Sequence, residues 1–268
     1  MAQNRILRER VAGQSAMAAV VLAQSSVPAP GRLARIFGIS PLTHEARAHY
    51  RGALGELLVG DVLENLGPTW DVLHDLPLDG SLVDHLLIGR AGVFTVRAAN
   101  YGRNDVVVDG DTLTVGGEPH DDIPCARAEA AEVSRRLSDA AGETVTVRPL
   151  LVVVDPRRLT IKGNASGVRV IASRDLERVL AFAARTLSGE EVAHVSDIAD
   201  LASTWPETPP NDAEVLDTQK LHRDFGVIRT GVSDAVVRRV LWAAGATTVV
   251  YVTVCSLIGT LVTMVINS

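Results

Sequence analysis

Three short segments hold the residues most able to do chemistry. Gly52-Ala53-Leu54-Gly55-Glu56 carries a carboxylate in a helical pattern, and Val83-Asp84-His85 carries a second in a strand pattern. A third strand, Gly92 to Ala99, ends in Arg97-Ala98-Ala99. Carboxylates brought together from separate elements supply the oxygen ligands that Mg²⁺ prefers. A metal so held activates water and offsets the charge that grows on a phosphodiester during hydrolysis. Strand alternation places Arg97 and Ala99 on one face. A guanidinium at such a place repels a divalent cation, and a methyl group offers it no donor. Asp84, even with Glu56 nearby, is then a weak metal site.

Taken in chain order, these segments resemble the nuclease-related (NERD) domain, a branch of the restriction-endonuclease-like fold. The family pattern is G-x-x-G-E, then an apolar-D-H strand, then G-V-F-apolar-E/D-x-K-N-x-x-G. The third element here reads Gly92-Val93-Phe94-Thr95-Val96-Arg97-Ala98-Ala99-Asn100-Tyr101-Gly102. The resemblance covers residues 44–156 well and extends more loosely to about residue 205. It implies an α/β domain with a mixed central sheet flanked by helices. It also implies that Glu56 and Asp84 are retained remnants of the active face, while Arg97 and Ala99 stand where the family has its acid and its lysine. An Arg97–Asp84 ion pair is the expected filling of the site. No resident cofactor follows from this reading, and Mg²⁺ enters only if catalysis has moved.

Relocated catalysis would need other groups. The chain's lysines are Lys162 and Lys220, both far in sequence from the strand. Asp105, Asp109 and Asp111 are carboxylates, but Asp109-Gly110-Asp111 reads as a hairpin turn between Val106–Val108 and Leu113–Val115. His120-Asp121-Asp122 reads as a polar loop capping the helix that Pro124 opens. The favoured function is thus a catalytically inactive NERD-like domain that binds nucleic acid or protein. The rivals are a metal-dependent nuclease using Glu56, Asp84 and a hairpin aspartate, and a structural membrane protein that self-associates through Gly245 and Gly259.

The C-terminal sequence decides location. Val240 to Ile266 is a run of 27 residues without charge, and about 20 apolar residues suffice to cross a bilayer. Arg238 and Arg239 precede it, with Arg229, Arg223 and Lys220 upstream. The excess of positive charge on that side predicts a single-pass, tail-anchored protein whose soluble part faces the cytoplasm. At the other end, apolar Ala16–Ala23 follows Arg5, Arg8 and Arg10. It reads as an amphipathic helix over residues 5–24, packed on the domain or the membrane surface, in preference to a signal peptide with too short a core.

The chain of 268 residues is 47% hydrophobic, enough for one α/β domain plus accessories. A net charge of −6 argues against broad attachment to phosphate backbones, and 4% aromatic content against single-strand stacking platforms. Cys125 and Cys255 are not expected to pair, and no zinc spacing occurs. The expected division is an N-terminal extension over 1–43, the NERD-like domain over 44–204, a proline-bearing juxtamembrane linker over 205–239, and the span over 240–266. Strands are expected near 70–76, 81–88, 92–99, 149–154 and 168–172. Helices are expected near 44–66, 123–141, after Ser173, and after Ser188, which opens a capping box with Glu191.

Overall fold

The computed structural model describes residues 7–25, 27–28, 30–206 and 218–266. Arg5 and residues 207–217 of the expected linker lie outside them.

A helix that must bury two faces begins the domain. Helix α1 (Gln14–Ser25) and the short α2 (Arg32–Ile36) precede α3 (His44–Glu64). The Thr43 side chain caps α3 by accepting from the Ala46 N–H at 3.1 Å. One flank of α3, with Ala46, Tyr50 and Ala53, packs against Met17, Ala18 and Val20 of α1. The other, with Val59 and Leu63, lies on the sheet.

Five strands form the first sheet in the order β1-β2-β3-β7-β9: β1 (Trp70–Leu78), β2 (Ser81–Gly89), β3 (Gly92–Ala99), β7 (Val147–Val153) and β9 (Arg169–Ala172). The meander β1-β2-β3 is antiparallel, and β7 and β9 join in parallel. β3 and β7 are apolar almost throughout because helices cover both faces of the sheet's centre. Helix α4 (Asp122–Ala141) covers one face through Ala130, Val133 and Leu137. Helix α3 and α5 (Leu176–Ala181) cover the other. Helix α6 (Gly189–Ala199) joins α4, and the expected Ser188–Glu191 capping box is formed. A second mixed sheet, β6-β5-β4-β8, contains β4 (Asp105–Asp109), β5 (Thr112–Val115), β6 (Glu118–His120) and β8 (Arg158–Ile161). The β4–β5 hairpin turns at Gly110-Asp111 as the sequence suggests.

Two expectations about the ends change. The expected N-terminal helix is interrupted: residues 7–8 are helical, Gly13 takes a left-handed φ of 68°, and helix resumes at Gln14, where the Asp75 carboxylate takes the Ser15 N–H (3.1 Å) and hydroxyl (2.6 Å) of the first turn. At the other end α7 (Thr218–Ile266) runs unbroken through the region read as a juxtamembrane linker. Leu221 and Phe225 of α7 are buried with α1 and α3 in one cluster. The stretch from Thr218 to Ser256 is long and apolar enough to cross a membrane, and only 6% of its most apolar window is buried within the protein. A helix that exposes such a surface is not a core helix.

Candidate functional site

The antiparallel pairings His74↔His85, Leu76↔Val83 and His85↔Val96 place Asp75, Asp84 and Arg97 in one transverse row. Regular pairing fails along that row. Asp75 adopts a left-handed φ of 58°, and the β2–β3 ladder runs only from Gly89↔Gly92 to His85↔Val96. In the resulting fork the Asp84 carboxylate accepts the Ala98 N–H at 2.7 Å, taking the place of a backbone rung. Burial pushes the Asp84 pKa up to about 6, against the opposing pull of the Ala98 N–H and of Arg97.

Arg97 does not make the expected ion pair with Asp84. Its Nε donates to Asp122 at 3.1 Å and its Nη1 donates to Glu129, both on α4. Asp122 and Glu129 stand seven residues apart, two turns, and so present one face to β3. The cause is geometric: Arg97 points towards α4, and Asp84 is already engaged by the strand backbone. Burial alone would lower the Arg97 pKa, but Glu129, Asp84 and Asp122 outweigh it and fix the charge. Burial lifts Glu129 to about 7 despite Arg97 beside it. Nor does Asp122 act as a cap. Its second oxygen accepts from the Tyr101 hydroxyl, and neither the Asp121 nor the Asp122 carboxylate accepts a helix N–H of α4 as a cap. Burial and Asp122 together push the Tyr101 phenol up.

Glu56 reaches the same cluster from α3. Its carboxyl is raised well above the ordinary range by burial, then by Asp84 and Asp75. Gly55 is what lets α3 come this close: a Cβ there would lie 3.0 Å from the Asn100 Cβ. Asn100 in turn closes the strand end, its Oδ1 accepting the Gly102 N–H at 3.0 Å. The glycine-glutamate and Asn100–Gly102 segments are therefore two sides of one contact. Ala99 faces α4, buried among Ile123, Ala126, Leu151 and Val153.

These residues do not fit a divalent cation. Asp84 is spent on a backbone N–H, Asp122 and Glu129 are spent on Arg97, and the guanidinium lies among them. No group of three His, Cys, Asp or Glu side chains among the described residues is arranged to hold a metal. Two of the hairpin acids are engaged elsewhere, Asp105 with Arg157 and Asp111 with Arg127 and the Ser166 N–H. Lys220 pairs with Asp224 on its own helix.

Asp84→Asn provides a test of the fork. A carboxyl whose folded pKa is raised above 3.8 costs stability progressively as pH climbs from about 4 past 6. The amide oxygen of asparagine still accepts the Ala98 N–H. The variant is expected to be more stable than the parent by about 1–2 kcal/mol at pH 8 and indistinguishable near pH 4, by urea denaturation in detergent.

His85 points to the opposite side of β2, where its Nδ1 lies 2.8 Å from the Nδ1 of buried His74. His74 Nε2 is 3.4 Å from Glu64, so His74 carries its proton on Nε2 and His85 donates from Nδ1. The His85 Nε2 left without a partner among the described residues is then an acceptor and strands no proton. Burial lowers His74 to about 4 and holds His85 well below the ordinary imidazole value, with His74 adding to the latter shift. Both rings are neutral in the fold, so stability present above pH 6.5 is lost as pH falls towards 4. Imidazole NMR signals of both residues should stay neutral through that window; protonation near pH 6 in the folded chain would contradict the pairing.

Residues 51–154 match the family model of the nuclease-related domain, so the chain carries a NERD domain. The match runs from the middle of α3 to the end of β7 and contains Glu56, Asp84, Arg97 and Ala99. No curated protein and no solved structure matches the chain.

Proposed function

We propose that this is a single-pass, tail-anchored membrane protein whose NERD domain faces the cytoplasm and has exchanged catalysis for binding of nucleic acid or protein. Arg97, paired with Asp122 and Glu129 where the family resemblance places the metal-binding acid, carries the reading. In that view Glu56 and Asp84 are remnants, and Arg97 supplies the positive charge that a metal would otherwise bring. The pseudoenzyme keeps the restriction-endonuclease-like frame, with Asp84 closing the fork and Arg97 tying β3 to α4. The full chain in detergent should leave plasmid and single-stranded DNA intact with Mg²⁺ or Mn²⁺. Cleavage that vanishes on Asp84→Ala would overturn the proposal.

One observation favours the rival nuclease. Glu56 has no hydrogen-bond partner among the described residues and lies within electrostatic reach of Asp84. Manganese bound at two or more of these carboxylates in a soaked crystal would support it.

A further inference from the structure

We propose that residues 32–39 form a foot that rests in the headgroup layer of an anionic bilayer leaflet, the one α7 enters, with a basic cleft above it for phospholipid headgroups. This rests on the membrane reading of α7.

The foot is apolar where a soluble surface would be polar. Leu33, Ile36, Phe37 and Ile39 are 50–70% exposed, and no residue of α2 is buried. Four large apolar side chains within seven residues make a patch that marks an interaction site. The patch is fixed at one level of α7. Arg238 Nη1 donates to the Arg35 carbonyl at 2.8 Å, Arg239 Nη2 to the Gly38 carbonyl at 3.1 Å, and Trp242 Nε1 to the Ile36 carbonyl at 2.8 Å. The Ile36 and Gly38 carbonyls accept no backbone N–H among the described residues, and close to hydrocarbon such groups need protein partners. The Phe37 and Trp242 rings lie 5.3 Å apart. Gly38, at φ 68°, lets the loop backbone touch the helix: a Cβ there would fall 2.4 Å from the Ala235 carbonyl oxygen.

That level is where charge on α7 ends. Arg239 is its last charged residue, and Val240, Leu241 and Trp242 follow, all more than half exposed. A tryptophan beside arginines at the start of an apolar helix is the arrangement of a membrane–water boundary. Charge complementarity selects the lipid. Arg32, Arg35, Arg238 and Arg239 surround the foot, while His44, Arg47, Arg51 and Arg239 line a cleft of about 500 Å³ between α3 and α7. None of these arginines is in an ion pair among the described residues, although the chain as a whole is acidic. Such clusters beside a membrane helix attract anionic headgroups.

The test uses the full chain in nanodiscs with Cys125→Ser and Cys255→Ser. A single cysteine is placed at Ile39, at Val252 in the span or at exposed Phe182, and labelled with an environment-sensitive fluorophore. Headgroup nitroxide lipids should quench position 39, deep acyl nitroxides should quench position 252, and neither should quench position 182. Adding phosphatidylglycerol to phosphatidylcholine should raise quenching at 39 by roughly twofold, and Arg32→Gln with Arg35→Gln and Arg47→Gln should abolish the increase. Quenching at 252 without quenching at 39 overturns the foot and leaves the span standing. No quenching at either position overturns both. Equal quenching at 39 in neutral and anionic discs overturns the anionic headgroup assignment.

Discussion

Arg97→Met is expected to destabilise the chain by about 3–5 kcal/mol at pH 8 and by clearly less at pH 5, because removing one partner strands buried charge. Methionine fills the volume of the arginine stem, so packing is largely kept and the loss is electrostatic. What remains is Glu129, about one-tenth exposed, and Asp122 facing each other without a cation. Glu129 and Asp84, titrating near 7 and 6, take up protons as the solution is acidified, which removes part of the penalty. Urea midpoints of the full chain in detergent at the two pH values decide the matter. An equal loss at both would mean that Arg97 acts by packing alone.

Ala99→Lys is the second large effect, with an expected cost of about 3 kcal/mol or more. The position is 6% exposed and surrounded by Ile123, Ala126, Leu151 and Val153. A lysine there must distort a filled apolar cluster and desolvate an ammonium group. Ala99→Met gives the steric part alone, about 1–3 kcal/mol, so the difference between the two variants isolates the charge. In the proposed reading the cation sits on the strand at 97, and the space at 99 is filled. A neutral Ala99→Lys would show that room for the lysine persists and would strengthen the nuclease reading.

Much of the domain was legible because its strands and helices carry one period each. β3 was bounded by Gly92 and by Asn100, and α6 by its capping box. The short β6 and β8 were not legible: Glu118-Pro119-His120 has no apolar alternation, Arg158–Ile161 alternates over only four residues, and the pairing of β8 with β4 depends on a partner about fifty residues away. Glu56, Asp84, Arg97 and Ala99 could be nominated from the resemblance to the family pattern, and the fold brings the first three into one cluster. The partners of Arg97 could not. Asp122 sits in a stretch that reads as a cap, and Glu129 looks like any exposed helical acid; only their spacing of seven hinted at a shared face. Asp75 gave no sign at all, since a left-handed aspartate in a strand is a product of tertiary contacts with Arg10 and Ser15.

The clamp on Asp75 bears on how the protein can be taken apart. Arg8 bridges Asp71 and Asp200, Ser15 grips Asp75, and Leu221 and Phe225 wedge beside Tyr50. All of Arg8, Ser15, Leu221 and Phe225 lie beyond the stretch that matches the family. A fragment trimmed to that stretch would bare the outer flank of α3 and release the aspartate from its left-handed turn. Its insolubility would then report on missing walls, and would say nothing about the competence of the fork.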